Sequence, residues 1–133
     1  MLGVDTNVLV RFLADDDDSQ SPAARRLLTL ASNHPIYVSM LVLAETYTVL
    51  TRVKKFPEAQ VREAIWMLVS SSDFVVENTE IVISALEDSA RANCGVVDAM
   101  IAAHNAAANC TTTVTFDRHA QRLPAMTAVG DRI

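Results

Sequence analysis

Four acidic residues that are far apart along the chain are the side chains best suited to chemistry. They are Asp5, Glu45, Asp98 and Asp117. Each also has an ordinary structural explanation, because the three aspartates can cap or begin a helix and Glu45 can belong to a solvated helix face. As a set they need another explanation, since like charges gathered in one place repel unless cations lie between them.

Carboxylates without His or Cys partners suit hard divalent ions such as Mg²⁺ and Mn²⁺, which keep part of their water shell. Such an ion lowers the pKa of its water and stabilises the oxygens of a phosphoryl group during displacement. This chemistry takes acids from separate elements rather than from one local motif. The elements that carry the four acids therefore decide whether they meet.

Short apolar runs alternate with helical patterns along the chain, which predicts a parallel sheet covered by helices on both faces and hence an α/β fold. Ligands of such sheets bind beyond the carboxyl ends of the strands, and Asp5 and Asp117 both follow predicted strands. Ser21 and Ser39 are predicted helix N-caps, with Pro22 at the first helical position. The predicted strands are 2–4 (buried), 36–38, 74–76, 111–115 and 127–129, and the predicted helices are 6–13, 21 to before Pro35, 40–53, 58–69, 79–92 and 97–108.

Length and composition predict one globular domain over residues 1–133. The hydrophobic fraction is 50% and the charged fraction 20%, which favours a packed core over disorder. The net charge of −5 argues against a protein that holds nucleic acid by a bulk positive field, but not against one whose acids are neutralised by cations. We expect no membrane span, no secretory signal, and a cytoplasmic protein in which Cys94 and Cys110 are buried, reduced thiols.

The four acids and their neighbours resemble a known family. Asp5–Thr6–Asn7, Glu45 within a helix, Asp98 before Ala99, and Thr115–Phe116–Asp117–Arg118 occur in an order similar to that of PIN domains, over residues 2 to 129. The length and the Asp-Thr-Asn start are most similar to VapC toxins of toxin–antitoxin pairs. The resemblance implies a three-layer α/β/α sandwich around a central parallel sheet of five strands in the order 3-2-1-4-5.

The resemblance also implies a Mg²⁺- or Mn²⁺-dependent endoribonuclease toxin that forms a homodimer and is inhibited by an antitoxin encoded beside it. Its products would end in 5′-phosphate and 3′-hydroxyl. Many relatives carry a further acid where this chain has His119, so we expect one firmly held ion per subunit. By resemblance, the metal ligands would be Asp5, Glu45, Asp98 and Asp117, the hydroxyls that orient carboxylates or water would be Thr6 and Thr115, and Asn7 would have a supporting role.

Basic residues near the acids are candidates for binding RNA phosphates. Arg11, Arg118 and Arg122 lie close to them in sequence, although ordinary surface charge also explains these side chains. The basic stretch 52–55 is expected at a helix C-terminus in any case. Seven aromatic residues give little support for a continuous stacking platform for single strands.

Other readings of the sequence are weaker. The acidic run Asp15–Asp18 lacks the ligand spacing of a calcium loop and is predicted to be a solvated loop, while His34 and His104 are predicted to be structural. A phosphoacceptor receiver domain needs an Asp after its third strand and a Lys after its fifth, and no Lys follows Lys55. A catalytically inactive PIN-like interaction module stays open. RNA cleavage with and without a chelator distinguishes it from an enzyme.

Overall fold

The computed structural model describes every residue from Met1 to Ile133 and confirms the α/β class. The chain divides into two compact units, Met1–Thr79 (unit 1) and Glu80–Ile133 (unit 2). Six α-helices and five short strands follow one another along the chain: β1 Leu2–Gly3, α1 Thr6–Ala14, α2 Gln20–Thr29, β2 Ile36–Val38, α3 Met40–Thr48, α4 Glu58–Ser70, β3 Phe74–Val76, α5 Thr79–Ala92, α6 Val96–Ala107, β4 Thr113–Thr115 and β5 Met126–Ala128.

The strands form two parallel ladders, one of order β1-β2-β3 and one of order β4-β5. The implied order 3-2-1-4-5 is therefore matched within each ladder, whereas a single sheet of five strands is not what the hydrogen bonds show. Every pairing is parallel, with Leu2 beside Ile36, Ile36 beside Phe74, and Thr113 beside Met126. Parallel pairing agrees with the helices that separate consecutive strands.

The centre of the unit 1 sheet is β2, where Ile36 and Val38 are completely buried. The edge strand β1 is different, because Leu2 is 37% exposed. The prediction of a buried strand over 2–4 is thus wrong. The physical reason is that an edge strand has a neighbour on one side only, so fewer side chains cover it.

The core of unit 1 consists of apolar side chains from its helices, among them the completely buried Leu9, Leu43 and Leu68. The predicted cap of α3 is confirmed, since Ser39 Oγ accepts a hydrogen bond from the Val42 amide at 3.2 Å. A π-helical segment, Val49–Val53, continues α3 to the predicted end of that helix.

The start of α2 differs from the prediction. The helix begins at Gln20, and the carboxylate of Asp17 accepts hydrogen bonds from the amides of Ser19 (3.1 Å) and Gln20 (2.7 Å). Ser21 is instead buried, and its hydroxyl accepts a hydrogen bond from the Asp17 amide at 3.2 Å. The predicted N-cap role of Ser21 is wrong, because the helix begins before Ser21: Ser19 is the N-cap residue, and the Asp17 carboxylate accepts from the amides at this end of the helix.

Unit 2 consists of α5, α6 and the β4-β5 ladder. Asn93 and Asn109 adopt left-handed φ values of 51° and 70° just beyond α5 and α6, a conformation that asparagine tolerates and that ends a helix. In the core, Ser89 Oγ donates a 2.6 Å hydrogen bond to the Cys94 carbonyl oxygen, which helps to fix the turn into α6.

The two cysteines have different environments and form no disulfide. Cys94 is buried, as predicted, whereas Cys110 is exposed, so the prediction of two buried thiols is wrong for Cys110. Cys110 follows the turn that ends α6, where the chain leaves the core. None of the helices combines the length and apolar composition that crossing a bilayer requires.

Candidate functional site

Asp5 lies two residues after β1 and is the N-cap of α1. Its backbone is extended, and its Oδ1 accepts a hydrogen bond from the Val8 amide at 3.1 Å. The side chain is exposed, and its second oxygen, Oδ2, makes no hydrogen bond. Asp5 thus performs the structural role that its sequence position predicts and still has one carboxylate oxygen for another partner.

A groove of about 380 Å³ runs beside Asp5 along α1 and α2. No pattern in the sequence indicates this groove, because it is formed by side chains of two helices that pack together. The half-buried Thr6 begins α1, and the exposed Asn7 is one of the groove residues. The lining residues are Asp5, Asn7, Val8, Arg11, Gln20, Ala23, Ala24 and Leu27.

The basic side chains near this groove form ion pairs with the acidic loop Asp15–Asp18. Arg11 Nε donates to Gln20 Oε1 at 2.8 Å, and its guanidinium lies 3.7 Å from Asp16 and 4.0 Å from Asp17. Lys54 Nζ lies 2.8 Å from Asp16 Oδ2, and this charged hydrogen bond lowers the pKa of Asp16. The loop is therefore an ion-paired segment, and Arg11 is already engaged within unit 1.

Glu45 is an exposed residue of α3, and its carboxylate makes no hydrogen bond or ion pair. Leu41, one turn earlier, is 76% exposed, so this face of α3 is more open than its apolar sequence predicts. The next residue, Thr46, is completely buried, and its hydroxyl has no hydrogen-bond partner. Glu45 thus has no structural partner that explains its charge.

Glu77 is an acid that sequence analysis did not single out. It is half-buried directly after β3, its amide donates to the Val38 carbonyl oxygen at 2.9 Å, and its Oε1 accepts from the Met40 amide at 2.8 Å. Glu77 therefore holds the start of α3, the helix that carries Glu45. The signal was available, because an acid that directly follows a strand was also the signal for Asp5.

Unit 2 contributes Asp98 and Asp117. Asp98 is half-buried in the first turn of α6, where the helix dipole favours a carboxylate. Asp117 follows β4; its Oδ1 accepts from the Ala120 amide at 2.9 Å, and its own amide donates to Thr115 Oγ1 at 3.0 Å. The Thr115 hydroxyl thus fixes the backbone of Asp117, whose carboxylate binds the first amide of the short 3₁₀ helix Ala120–Arg122.

Arg118 and Arg122, the two predicted phosphate-binding arginines of unit 2, differ in their availability. Arg122 Nη1 is within hydrogen-bond distance of the carbonyl oxygens of Ala92 (3.4 Å) and Asn93 (3.3 Å) at the end of α5. Arg118 is exposed and makes no ion pair. Of the three predicted phosphate-binding arginines, Arg118 is therefore the one without an intramolecular partner.

The donor set fits a hard divalent ion, because all four predicted ligands are carboxylates. Asp5 and Glu45 lie in unit 1, and Asp98 and Asp117 lie in unit 2. Neither unit by itself brings three or more His, Cys, Asp or Glu side chains into a group able to hold a metal. The chemistry of the residues thus agrees with the expected ion, and the convergence of all four acids stays a prediction.

Comparison with known proteins gives one family. A family model described as PIN domain matches residues 3–126, a range that includes all four acids. No curated protein matches the chain.

Proposed function

Since the chain belongs to the PIN domain family, we propose that it is a metal-dependent endoribonuclease and the toxin of a toxin–antitoxin pair. PIN domains are generally nucleases, and many act as toxins. The observation that carries the proposal is the family match across the whole stretch that contains Asp5, Glu45, Asp98 and Asp117. These four side chains would hold Mg²⁺ or Mn²⁺, the ions that carboxylate oxygens favour.

When bound, such an ion supplies an activated water and neutralises the charge that develops on the phosphate oxygens. The residues of the chain hold the carboxylates in place. The Val8 amide fixes Asp5, and the Ala120 amide fixes Asp117, so each carboxylate is held before a ligand arrives. Carboxylates that are already held in place lose less conformational entropy when they bind a metal ion, which favours a well-defined coordination geometry.

Supporting roles follow from the same resemblance. Thr115 would orient Asp117 through the backbone hydrogen bond that it already accepts, and Thr6 and Asn7 would support Asp5 from the first turn of α1. Arg118 would contact a phosphate of the RNA, because it is exposed and makes no ion pair. His119 in place of a further acid favours one ion per subunit.

The partners of the proposed toxin are RNA, a second copy of the chain and a cognate antitoxin. The dimer and the antitoxin are proposed from the resemblance of Asp5–Thr6–Asn7 to the corresponding residues of VapC toxins. A cytoplasmic location is proposed because Cys94 and Cys110 are free thiols. The reaction would be hydrolysis of an RNA phosphodiester that leaves 5′-phosphate and 3′-hydroxyl ends.

The proposed function is tested by incubating the purified protein with a panel of RNAs in Mg²⁺, in Mn²⁺ and in EDTA. We expect cleavage in either metal and none in EDTA. Glu45→Gln should reduce cleavage about 100-fold or more, because one charged ligand is lost. Glu63→Gln is the matched control, since it makes the same change on another exposed helix position of unit 1. No cleavage of any RNA would leave an interaction module as the better description, whereas equal activity of the two variants would contradict the role of Glu45 as a metal ligand.

A further inference from the structure

Phe116 has an unusual environment for an aromatic residue. It is 87% exposed, whereas the other six aromatic side chains are buried or half-buried. A phenylalanine in water gives up the burial by which aromatic residues usually stabilise a core. The fold of unit 2 thus gains little from a ring at this position, which points to a ligand.

The backbone on both sides of Phe116 is held in place by hydrogen bonds. Thr115, on one side, pairs with Ala128 in the β4-β5 ladder. Asp117, on the other side, donates its amide to Thr115 Oγ1 at 3.0 Å, and its carbonyl oxygen accepts from the Gln121 amide at 3.1 Å. Because this backbone is already ordered, no backbone entropy need be lost when a ligand covers the ring.

The chemistry around the ring favours a nucleobase. Phe116 is flanked by Thr115 and Asp117 and followed by Arg118 and His119, all of them polar. A protein partner needs a buried apolar centre of several side chains, whereas Val114, 51% exposed, is the only other exposed apolar residue between 112 and 119. A single π face beside a cation is what an unpaired base and its phosphate require.

We propose that Phe116 stacks on an unpaired nucleobase of the RNA substrate, beside the phosphate that is cleaved, while Arg118 contacts a neighbouring phosphate. The inference rests on the proposed nuclease function, in which Asp117 is a metal ligand. It also defines the substrate class, because a base inside a duplex has both faces covered and cannot stack on a side chain. In this role Phe116 binds the substrate and takes no part in breaking the phosphodiester bond.

The first test needs no catalysis. Phe116→Trp, made together with Trp66→Phe, places the only indole of the chain at position 116, and this double variant is titrated in EDTA with a single-stranded RNA 12-mer. We expect saturable quenching of the indole fluorescence, and none with the same backbone lacking its bases. The wild-type protein is the matched control, because its half-buried Trp66 lies in α4 and should not respond. Absence of quenching in the double variant overturns the inference.

The second test is kinetic. Phe116→Ala and Phe116→Leu should raise KM for single-stranded RNA about tenfold with kcat little changed, as expected for a lost stacking contact. Phe116→Tyr should stay close to wild type, and Val53→Ala, which trims another exposed apolar side chain, should have no effect. Recovery by leucine, or a smaller oligomer for Phe116→Ala in size-exclusion chromatography, would identify an apolar protein contact and overturn the inference.

The two tests separate the inference from the proposed function. Cleavage of RNA without quenching of the indole at position 116 would retain the nuclease and reject the stacking role. Quenching of that indole in a protein that cleaves no RNA would retain the stacking role and reject the nuclease.

Discussion

Asp5 in unit 1 and Asp117 in unit 2 have the same local structure in different electrostatic surroundings. Each follows a strand, and each carboxylate accepts an amide hydrogen bond from three residues ahead, at 3.1 Å from Val8 and 2.9 Å from Ala120. Near Asp5, the groove residue Arg11 is held by Gln20 and the acidic loop. A carboxylate that follows a strand and accepts an amide hydrogen bond thus occurs in both units. The charges around each carboxylate decide what else can bind there.

The acidic loop of unit 1 engages three cations. Lys54 and Arg11 interact with Asp16, and Arg25 pairs with Asp15. Exposed ion pairs of this kind contribute little to stability, but they occupy side chains that would otherwise attract phosphate. Unit 2 has no comparable loop, and its Arg118 is exposed and unpaired. RNA contacts are therefore expected from unit 2 more than from Arg11.

We expect the greatest loss of stability from substitutions in the buried cores of the two units. Leu68→Ala in unit 1 and Leu86→Ala in unit 2 each remove a completely buried side chain, and each should lower the free energy of unfolding by about 2–5 kcal/mol. If residues 1–133 form one domain, both variants shift the same single transition in differential scanning calorimetry. Two transitions, each shifted by only one of the variants, would contradict the single-domain prediction.

A pair of buried hydroxyls should give effects of opposite sign. Ser89→Ala leaves the Cys94 carbonyl oxygen without its 2.6 Å donor and should lower the free energy of unfolding by about 1–3 kcal/mol. Thr46→Val removes a buried hydroxyl that has no partner and should raise it by about 1 kcal/mol. Urea unfolding measures both, and a destabilised Thr46→Val protein would show that its hydroxyl has a partner in solution.

Arg118 and Arg11 should contribute differently to RNA binding. Arg118→Ala should weaken binding a few-fold and reduce the slope of log affinity against log salt by about one, as expected for one lost phosphate contact. Arg11→Ala should leave that slope unchanged, because Arg11 is held by Gln20 and the acidic loop. Fluorescence anisotropy over a range of salt concentrations measures both slopes. The reverse order would show that the loop releases Arg11 when RNA binds.

The smallest effect concerns the acidic loop and pH. Hydrogen bonds from the amides of Gln20 and Ser19 lower the pKa of Asp17 below its ordinary value of 3.8. The unfolded chain therefore takes up protons first, so this stabilisation is present above pH 3.8 and is lost as the pH falls through the lower pKa of the folded state. Wild type should lose more stability than Asp17→Asn between pH 6 and pH 3 in urea unfolding. Asp18→Asn, an exposed control in the same loop, should follow wild type.

Local signals predicted most of the elements. The helices, the central strand β2 and the Ser39 cap follow from periodicity and from capping chemistry, which depend on neighbours in sequence. The predictions that were wrong concern the start of α2 and the burial of Leu2 and Cys110. Ser21 is not the N-cap because α2 begins at Gln20, where the Asp17 carboxylate accepts from two amides. Leu2 is exposed because β1 is an edge strand, and Cys110 is exposed because α6 has already ended.

The acidic residues of the candidate site could be predicted from the sequence, but the side chains that surround them could not. Asp5 and Asp117 follow strands as predicted, but the Arg11 ion pairs, the groove along α1 and α2, and the hydrogen bond from Met40 to Glu77 depend on tertiary packing. No spacing in the sequence encodes these contacts, because their partners come from separate elements.

We propose that acids from both units bind the same ion, and Mn²⁺ titration calorimetry measures this binding. We predict one ion per chain for wild type and binding weakened about tenfold or more in each of four variants, with Glu63→Gln unchanged. The four variants are Asp5→Asn, Glu45→Gln, Asp98→Asn and Asp117→Asn. No binding at millimolar Mn²⁺, or weakening by the variants of one unit only, would contradict the claim.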